Sequence, residues 1–396
     1  RSGPPFPNPL ATGRTPAPST TGQALDYNLS QPYALQYSLE WQQELSAGWV
    51  LRAAYAGNRS LHILRSLESN PGTPTVLADG RKCFNFPATS GGPNPLCPAG
   101  PTVRRNLNFG PIRGRSSDGR SWYDSLQLTA ERRIANGSTL QASYTWSKSL
   151  STNNSSFTSF PSQPSNTQDP DDIYLDKALS AFDPRHRLAA HAIVALPPLA
   201  RGLAGWIVNG WRAALIASLS SGNPFSVVNG INRSQNLQTD VALSDRPDWA
   251  AGSSLDSAKG GASRACQASG GERLAGRKLG GPDLYFDPCA FALQANGFYG
   301  NVARNALTGP GFFNADLSLS RSFPLPREHA FEFRADLFNI LNRPNFATPS
   351  SPTGAQVAGG ALVFPDATGL PAGNAGQIFR TVNDSRQIQF SVRYSF

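Results

Sequence analysis

The sequence predicts an all-β protein, an antiparallel up-and-down transmembrane β-barrel of which this chain holds about nine strands, open by itself; three observations predict it. The first is the final segment, 386–396, where Ile388, Phe390, Val392, Tyr394 and Phe396 alternate with Gln387, Gln389, Ser391, Arg393 and Ser395. Successive side chains of a strand point to opposite faces, so this one has an apolar face and a polar face. Eleven residues rise about 36 Å, and at a tilt of about 45° they cover roughly the 25 Å apolar band of such a barrel. An edge strand of a soluble sandwich could alternate in the same way, so the ending alone leaves both readings open. The second observation is that the connections alternate, short near residues 46, 136, 200 and 325 and long between them. Up-and-down membrane barrels have that asymmetry, and a sandwich or propeller has no reason to produce it. The third is the placing of aromatic residues. Trp41, Trp49, Trp206, Trp211, Phe323, Phe331 and Phe396 fall near the short turns, Trp122 and Trp146 towards the long connections, as two interface girdles would require.

Taken in order, residues 1–31 are rich in Pro, Gly, Ser and Thr and read as an irregular or external loop segment, with the barrel occupying 32–396. Tyr33, Leu35, Tyr37, Leu39 and Trp41 alternate with Ala34, Gln36, Ser38, Glu40 and Gln42; the turn at 46–48 leads into Trp49, Leu51, Ala53 and Tyr55, completing a hairpin. An external loop is expected over 58–120. Leu126, Leu128 and Ala130 then alternate with Gln127, Thr129 and Glu131, Asn136-Gly137 supplies a tight turn, and Leu140, Ala142, Tyr144 and Trp146 return. After a second loop, 151–183, come strands carrying Leu188 to Leu196 and Trp211 to Leu219. The longest loop is 225–312. Ala315, Leu317, Leu319 and Phe323 are followed, beyond the turn PLPRE, by Phe331, Phe333, Ala335 and Leu337, and a last loop, 342–385, reaches the terminal strand.

Composition agrees. Charged residues make up 15% of the 396, against about 25% in an ordinary soluble protein. The mean hydropathy is slightly negative, which argues against a bundle of membrane helices and permits a barrel, where only alternate strand residues meet lipid. The most apolar window, 199–219, is broken by Arg201, Asn209, Arg212 and three glycines, which makes a poor membrane helix. The net charge of +9 comes without a basic run or nucleic-acid motif, so no nucleic-acid partner is expected. There is no methionine and no charged-then-apolar leader, and nine strands is an odd number where single-chain bacterial barrels have even ones. The chain is therefore expected to be the C-terminal part of a longer precursor, with further strands upstream. Four cysteines form two local pairs, Cys83 with Cys97 and Cys266 with Cys289, each within one expected external loop. Two disulfides in an oxidising compartment and two pairs of free buried thiols are both compatible; the absence of a C-x-x-C pattern and the loop-rich context favour disulfides.

Several stretches together resemble the C-terminal barrel of TonB-dependent outer-membrane receptors, in particular the Oar-like group that carries a carboxypeptidase-regulatory-like domain at the N-terminus. They are YDSLQLTAERRIANGSTLQASYTWSKSL from Tyr123, DPRHRL from Asp183, SGNPFSVV from Ser221, GNVARNALTGPGFFNADLSLSRSFPL from Gly300, FEFRADLFNILNRPNF from Phe331, and the terminal RQIQFSVRYSF. The resemblance implies a bacterial outer-membrane location, a barrel of about 22 strands with an internal plug, and energy delivered by the TonB complex through an N-terminal part outside this chain. It also implies that the last strand, through Phe390, Tyr394 and Phe396, is the signal read by the barrel-assembly machinery.

Within such a barrel the polar residues Gln36, Glu40, Gln127, Glu131, Asp316, Arg334, Asp336, Gln389 and Arg393 are expected to face the lumen, where they would hydrogen-bond a plug. Asp316, Arg334, Asp336 and Arg393 are expected to form a cross-strand charge network. Outer-membrane lipid would cover the other face, and the loops holding Cys83 and Cys266 would meet the unknown substrate first. No cofactor or metal site is expected. Asp169, Asp171, Asp172 and Asp176 could hold calcium, but without the glycine and distal glutamate of an EF-hand a solvated acidic loop is the favoured reading. An enzyme is not expected. His62, His186, His191 and His329 sit in no nucleophile motif, and Asp183, Arg185 and Arg187 read as a network at a strand rim. Uptake through a plugged barrel is thus the leading function class. A structural or adhesive barrel displaying large loops is the alternative from another class, and a soluble β-rich binding protein is a third.

Overall fold

The structure, a computed structural model, describes residues 22–85, 96, 97, 102–152, 167–238, 245–327, 329–349 and 360–396. Nine strands dominate it: β1 (Tyr33–Leu45), β2 (Trp49–Glu68), β3 (Ile112–Ile134), β4 (Ser138–Ser151), β5 (His186–Ala195), β6 (Arg212–Ser220), β7 (Phe312–Pro324), β8 (Ala330–Phe338) and β9 (Gln387–Ser395). Each pairs antiparallel with the next in chain order, giving one meandering sheet. β1 and β9 are its two edges; the sheet is not closed, and every residue of both strands is exposed.

The turns show why the chain reverses where it does. In Ser46–Gly48 and Ala135–Gly137 the last two residues are left-handed: Ala47 and Gly48 at φ 61° and 73°, Asn136 and Gly137 at 69° and 71°. Consecutive left-handed residues match the twist of the flanking strands, which is why Asn-Gly serves so well. At Gly48 a side chain has no room either, since a Cβ there would lie 2.6 Å from the Arg133 carbonyl oxygen. The turn between β7 and β8 closes with Leu325 N donating to His329 O at 2.9 Å. Between β5 and β6 the connection contains a short helix, α1 (Gly202–Val208).

Two expectations change. β2 continues past Gly57 to Glu68 and β3 begins at Ile112, so the first external loop is shorter than 58–120. These strands have 20 and 23 residues, which at about 3.3 Å per residue is far more than the apolar band requires. Beyond the band neither face needs to be apolar, so the period-two signal vanishes while the backbone ladder continues. Register shifts near Ser60, Ile63 and Arg65 and a left-handed His62 (φ 57°) bend this extension. Arg65 clasps Asp118 across it with two bonds of 2.6 and 2.8 Å. The start of the chain is not wholly irregular either: Gly22–Leu25 forms a strand parallel to the beginning of β3. Residues 1–21 lie outside the described residues.

The long loops also differ from the irregular segments expected. Pro224–Asn229 pairs with Leu307–Thr308 and, in parallel, with Gly360–Phe364, a strand from a different connection. Around this small sheet Phe225, Val227, Phe286, Val302, Leu307, Val363 and Phe364 form a core, none more than 2% exposed. No residue of β1 to β9 belongs to it. The described parts of the loops 225–312 and 342–385 therefore fold together into a cap with its own hydrophobic centre. Disulfides join Cys266 to Cys289 beside Ala268 and Leu274, and Cys83 to Cys97 beside Phe298. Each closes a loop of 23 or 14 residues, a constraint of about 3 kcal/mol in the chain-entropy account.

Because the cap has a core of its own, Phe286→Ala should cost it about 3–5 kcal/mol while leaving the meander sheet intact. Hydrogen exchange on the folded protein checks this. Protection should fall in the cap strands and persist in β2 to β8; equal loss in both would mean that cap and sheet are one cooperative unit.

Candidate functional site

Register decides which side chains share a face, because a slip of one residue would invert the whole set. Gln36 stands opposite Asn58 and Glu40 opposite Ala54; Gln127 stands opposite Ala54 and Thr145, and Glu131 opposite Val50 and Gln141. Further along, Asp316 stands opposite Ile216, Ser318 opposite Asp336, Asp336 opposite Gln389, and Glu332 opposite Arg393. Followed strand by strand, all nine polar wall residues named from the sequence fall on one face. The other face carries rows such as Leu39, Tyr55, Leu126 and Trp146, or Phe331 and Tyr394.

The charges on the polar face pair differently from the expected network. Arg334 Nε donates to Asp336 Oδ1 at 2.8 Å along the same strand. Asp316 Oδ1 accepts from the Asn314 side chain at 3.0 Å and from Asn339 N at 2.8 Å. The reason lies in the facing positions: Arg334 has Ser320 and Ser391 opposite it, so the nearest carboxylate is two residues along its own strand. Near the first turns, Glu131 accepts from Arg133 Nε at 3.0 Å, with Arg52 at 4.0 Å across the strand pair.

One cluster gave no sequence signal beyond a break in alternation. Asp124 occupies an apolar-face position of β3 near the long connections, opposite Gly57 and Lys148. Its Oδ1 accepts from Tyr55 at 2.7 Å and Tyr37 at 3.4 Å, and Arg59 reaches both carboxylate oxygens at 3.0 and 2.9 Å. Tyr37 lies across Gly57, where a Cβ would come within 2.2 Å of its ring. The glycine is thus what lets the tyrosine cover the carboxylate. A charge at this level of the apolar face is compensated by one guanidinium and two phenols.

At the long-connection end the cap is stitched by buried polar groups. Arg246 pairs with Asp176 at 2.6 Å, both nearly inaccessible. Asp176 Oδ2 also accepts from Gln168 N at 2.9 Å, and its carbonyl oxygen accepts from Arg304 Nε at 2.8 Å. Gln168 in turn donates to Gly300 O at 2.9 Å and accepts at its own carbonyl from Gln238 at 2.9 Å. Of the acidic stretch, Asp169 and Asp176 are buried in ion pairs, whereas Asp171 and Asp172 stay exposed as a solvated loop would have them. Asp169 binds Lys82 at 2.6 Å, Asp171 binds Arg105, and Asp172 caps Tyr174 N at 3.0 Å. No cluster of metal-ligating side chains occurs among the described residues. Sequence could not separate these cases, because the cations come from connections remote in the chain.

At the strand rim, Asp183 Oδ1 accepts from Ser149 N at 2.9 Å and Arg185 approaches its other oxygen at 3.9 Å. Burial raises this carboxyl above its ordinary range. Arg187 takes a polar-face position, opposite Thr145 and Ser220. The histidines are dispersed: His186 lies 2.7 Å from the Tyr144 hydroxyl, His62 3.2 Å from the Ser117 carbonyl, and His329 3.2 Å from the Tyr394 hydroxyl.

With this geometry in place, comparison with known proteins is informative at the family level. A family model described as "Outer membrane beta barrel domain" matches residues 2–389. Among solved structures, the outer membrane transporter YddB from Escherichia coli is 10% identical with a TM-score of 0.43, over 94% of this chain and 34% of that one. The FrpB iron transporter from Neisseria meningitidis (F3-3 variant) is 9% identical with a TM-score of 0.37, over 93% of this chain and 32% of that one. The chain thus spans about a third of the length of either. No curated protein matches.

Burial in the cap sets one pH dependence. Asp245 is inaccessible, and desolvation pushes its carboxyl from 3.8 up to about 6, against the opposing bonds from Ser234 and the charge of Arg246. Its Oδ1 has no partner among the described residues. Between roughly pH 4 and 6 the native cap therefore holds a proton that the unfolded chain has lost. This group's contribution is largest below that window and falls as the pH rises through it. Asp245→Asn, which cannot ionise, should compare more favourably with the wild type at pH 7 than at pH 5. Urea midpoints of the cap transition check this; the same wild-type-to-variant difference at both pH values would show that Asp245 does not titrate there.

Proposed function

Because this chain belongs to the outer membrane β-barrel domain family, we propose that it supplies wall and external cap of a bacterial outer-membrane receptor that takes up a scarce substrate by TonB-dependent, energised transport. The family places the protein in the bacterial outer membrane, where backbone in lipid must be fully paired and the apolar face of the sheet meets hydrocarbon. Gln36, Glu40, Gln127, Glu131, Asp316, Arg334, Asp336, Gln389 and Arg393 then line the lumen and offer hydrogen bonds to a plug. Phe390, Tyr394 and Phe396, on the apolar face of the last strand and its end, serve the barrel-assembly machinery. TonB is engaged through a part of the protein outside this chain.

The observation that carries the receptor reading is the cap. Connections distant in sequence share one core and one buried ion pair, Arg246 with Asp176, so the external surface above the wall is preorganised. A binding surface that is ordered beforehand loses less entropy on engaging a ligand than loose loops would. The substrate is one too large for ordinary porins, and its first contacts fall on the connections held by the Cys83–Cys97 and Cys266–Cys289 disulfides.

Uptake by cells carrying the full-length protein should require both the proton motive force and TonB, and Arg246→Met, which strands a buried carboxylate, should reduce binding at the cell surface. Measured accumulation with and without an uncoupler, in cells with and without TonB, checks this. Unchanged accumulation after uncoupling, or a deletion phenotype confined to surface adhesion, would favour a display barrel instead.

A further inference from the structure

We propose that the connection between β5 and β6 is a preorganised foot seated in the phospholipid interface of the periplasmic leaflet, and that Arg321 is the positioning residue that holds it there. The inference rests on the family and the fold, not on the transport reading. The other short connections are tight turns, whereas this one spends sixteen residues, 196–211, on a closed loop containing α1.

The loop is locked from inside. Asn209 Oδ1 accepts from Leu199 N at 2.6 Å and Ala200 N at 3.2 Å, and its Nδ2 donates to Ala200 O at 2.7 Å. Trp211 Nε1 donates to Ile207 O at 3.1 Å. Gly205 permits the close approach, since a Cβ there would lie 2.6 Å from the Ala200 oxygen.

Arg321 then fixes the loop to the sheet. By register it lies opposite Phe333, on the apolar face of β7, where a bare guanidinium would be costly. It is only 7% exposed. Its two terminal nitrogens donate to the carbonyls of Trp206 and Ile207, which belong to the last turn of α1 and have no partner within so short a helix. The cation also sits 4.2 Å from the Phe323 ring centre. On the lipid side the two terminal nitrogens are thus satisfied by helix-end carbonyls and the cation faces an aromatic ring, while Nε has no partner among the described residues.

The occupant follows from what the clamp presents. Trp206 packs on Phe323 at 5.3 Å and Phe323 on Phe331 at 6.2 Å, so the foot is continuous with the lipid-facing surface and not with the lumen. Leu199, Trp206 and Ile207 are 73%, 56% and 59% exposed. Residues 196–211 include Arg201 and no carboxylate. Exposed aliphatic and indole surface beside an exposed arginine suits the boundary between acyl chains and anionic headgroups.

The test uses the full-length protein in bilayers of phosphatidylethanolamine and phosphatidylglycerol brominated at shallow or deep acyl positions. The Trp206 signal is taken as the difference between wild type and Trp206→Phe. Shallow bromines should quench it at least twofold more than deep ones, and aqueous acrylamide should quench it little. In Arg321→Met, folded by heat-dependent gel mobility, that signal should become accessible to acrylamide; Gly205→Ala, which breaks the loop from within, should do the same if Arg321→Met does not fold. Strong acrylamide quenching of the wild type would overturn the lipid seat. Protection from both quenchers would overturn it too, in favour of a protein occupant. An Arg321→Met protein with unchanged depth would remove the positioning role.

Discussion

Everything in this chain depends on satisfying backbone hydrogen bonds where no water can help. In hydrocarbon an unpaired N–H or C=O costs several kcal/mol, so each strand must find a neighbour along the whole apolar band. The meander does this with the least chain, β1 to β9 pairing in sequence order without a crossover. The same constraint identifies the two incomplete places, the outer sides of β1 and β9, where the ladder stops at exposed strands.

Once pairing is fixed, register turns composition into geometry. Alternation along each strand would be idle if neighbours were offset by one residue; the observed pairings put indole, phenyl and aliphatic groups on one side and amides, carboxylates and guanidinium groups on the other. The exceptions are instructive because they lie at the ends of the band. Asp124 with Arg59 marks the end near the long connections, and Arg321 under α1 marks the end near the short turns. Asp124 is neutralised by the Arg59 guanidinium, and Arg321, without a carboxylate, donates to the carbonyls of Trp206 and Ile207. Ionisable groups on an apolar face are tolerated under that condition and at that depth.

Beyond the band the rules change. The extension of β2 and β3 and the cap stand in water, where a buried core and buried ion pairs can hold a shape. The cap reaches this with residues drawn from separate connections, and burial there is deep enough to lift Asp245 to about 6 and lower Arg304 to about 10. A cap with its own core on a lipid-embedded wall is the combination on which the proposed uptake role rests.

How much of this was legible beforehand follows from the range of each interaction. Period-two alternation is local, so the nine strands, their apolar and polar sides, the short turns at Ala47-Gly48 and Asn136-Gly137 and the outer-membrane barrel class could be read from neighbouring residues alone. The extension of β2 to Glu68 escaped because a ladder outside lipid leaves no compositional trace. The cap escaped because Phe225, Phe286 and Phe364 are far apart in the chain and lie among glycines and prolines that read as loop. The pairing of Asp176 with Arg246, of Asp124 with Arg59 and Tyr55, and of Arg321 with the end of α1 depended likewise on which segments fold next to one another. The sequence by itself determined which residues can face lipid, since that is set by alternation along one strand. Only the tertiary structure decided which charges neutralise one another and which loops share a core, because those contacts exist only after distant segments have been brought together.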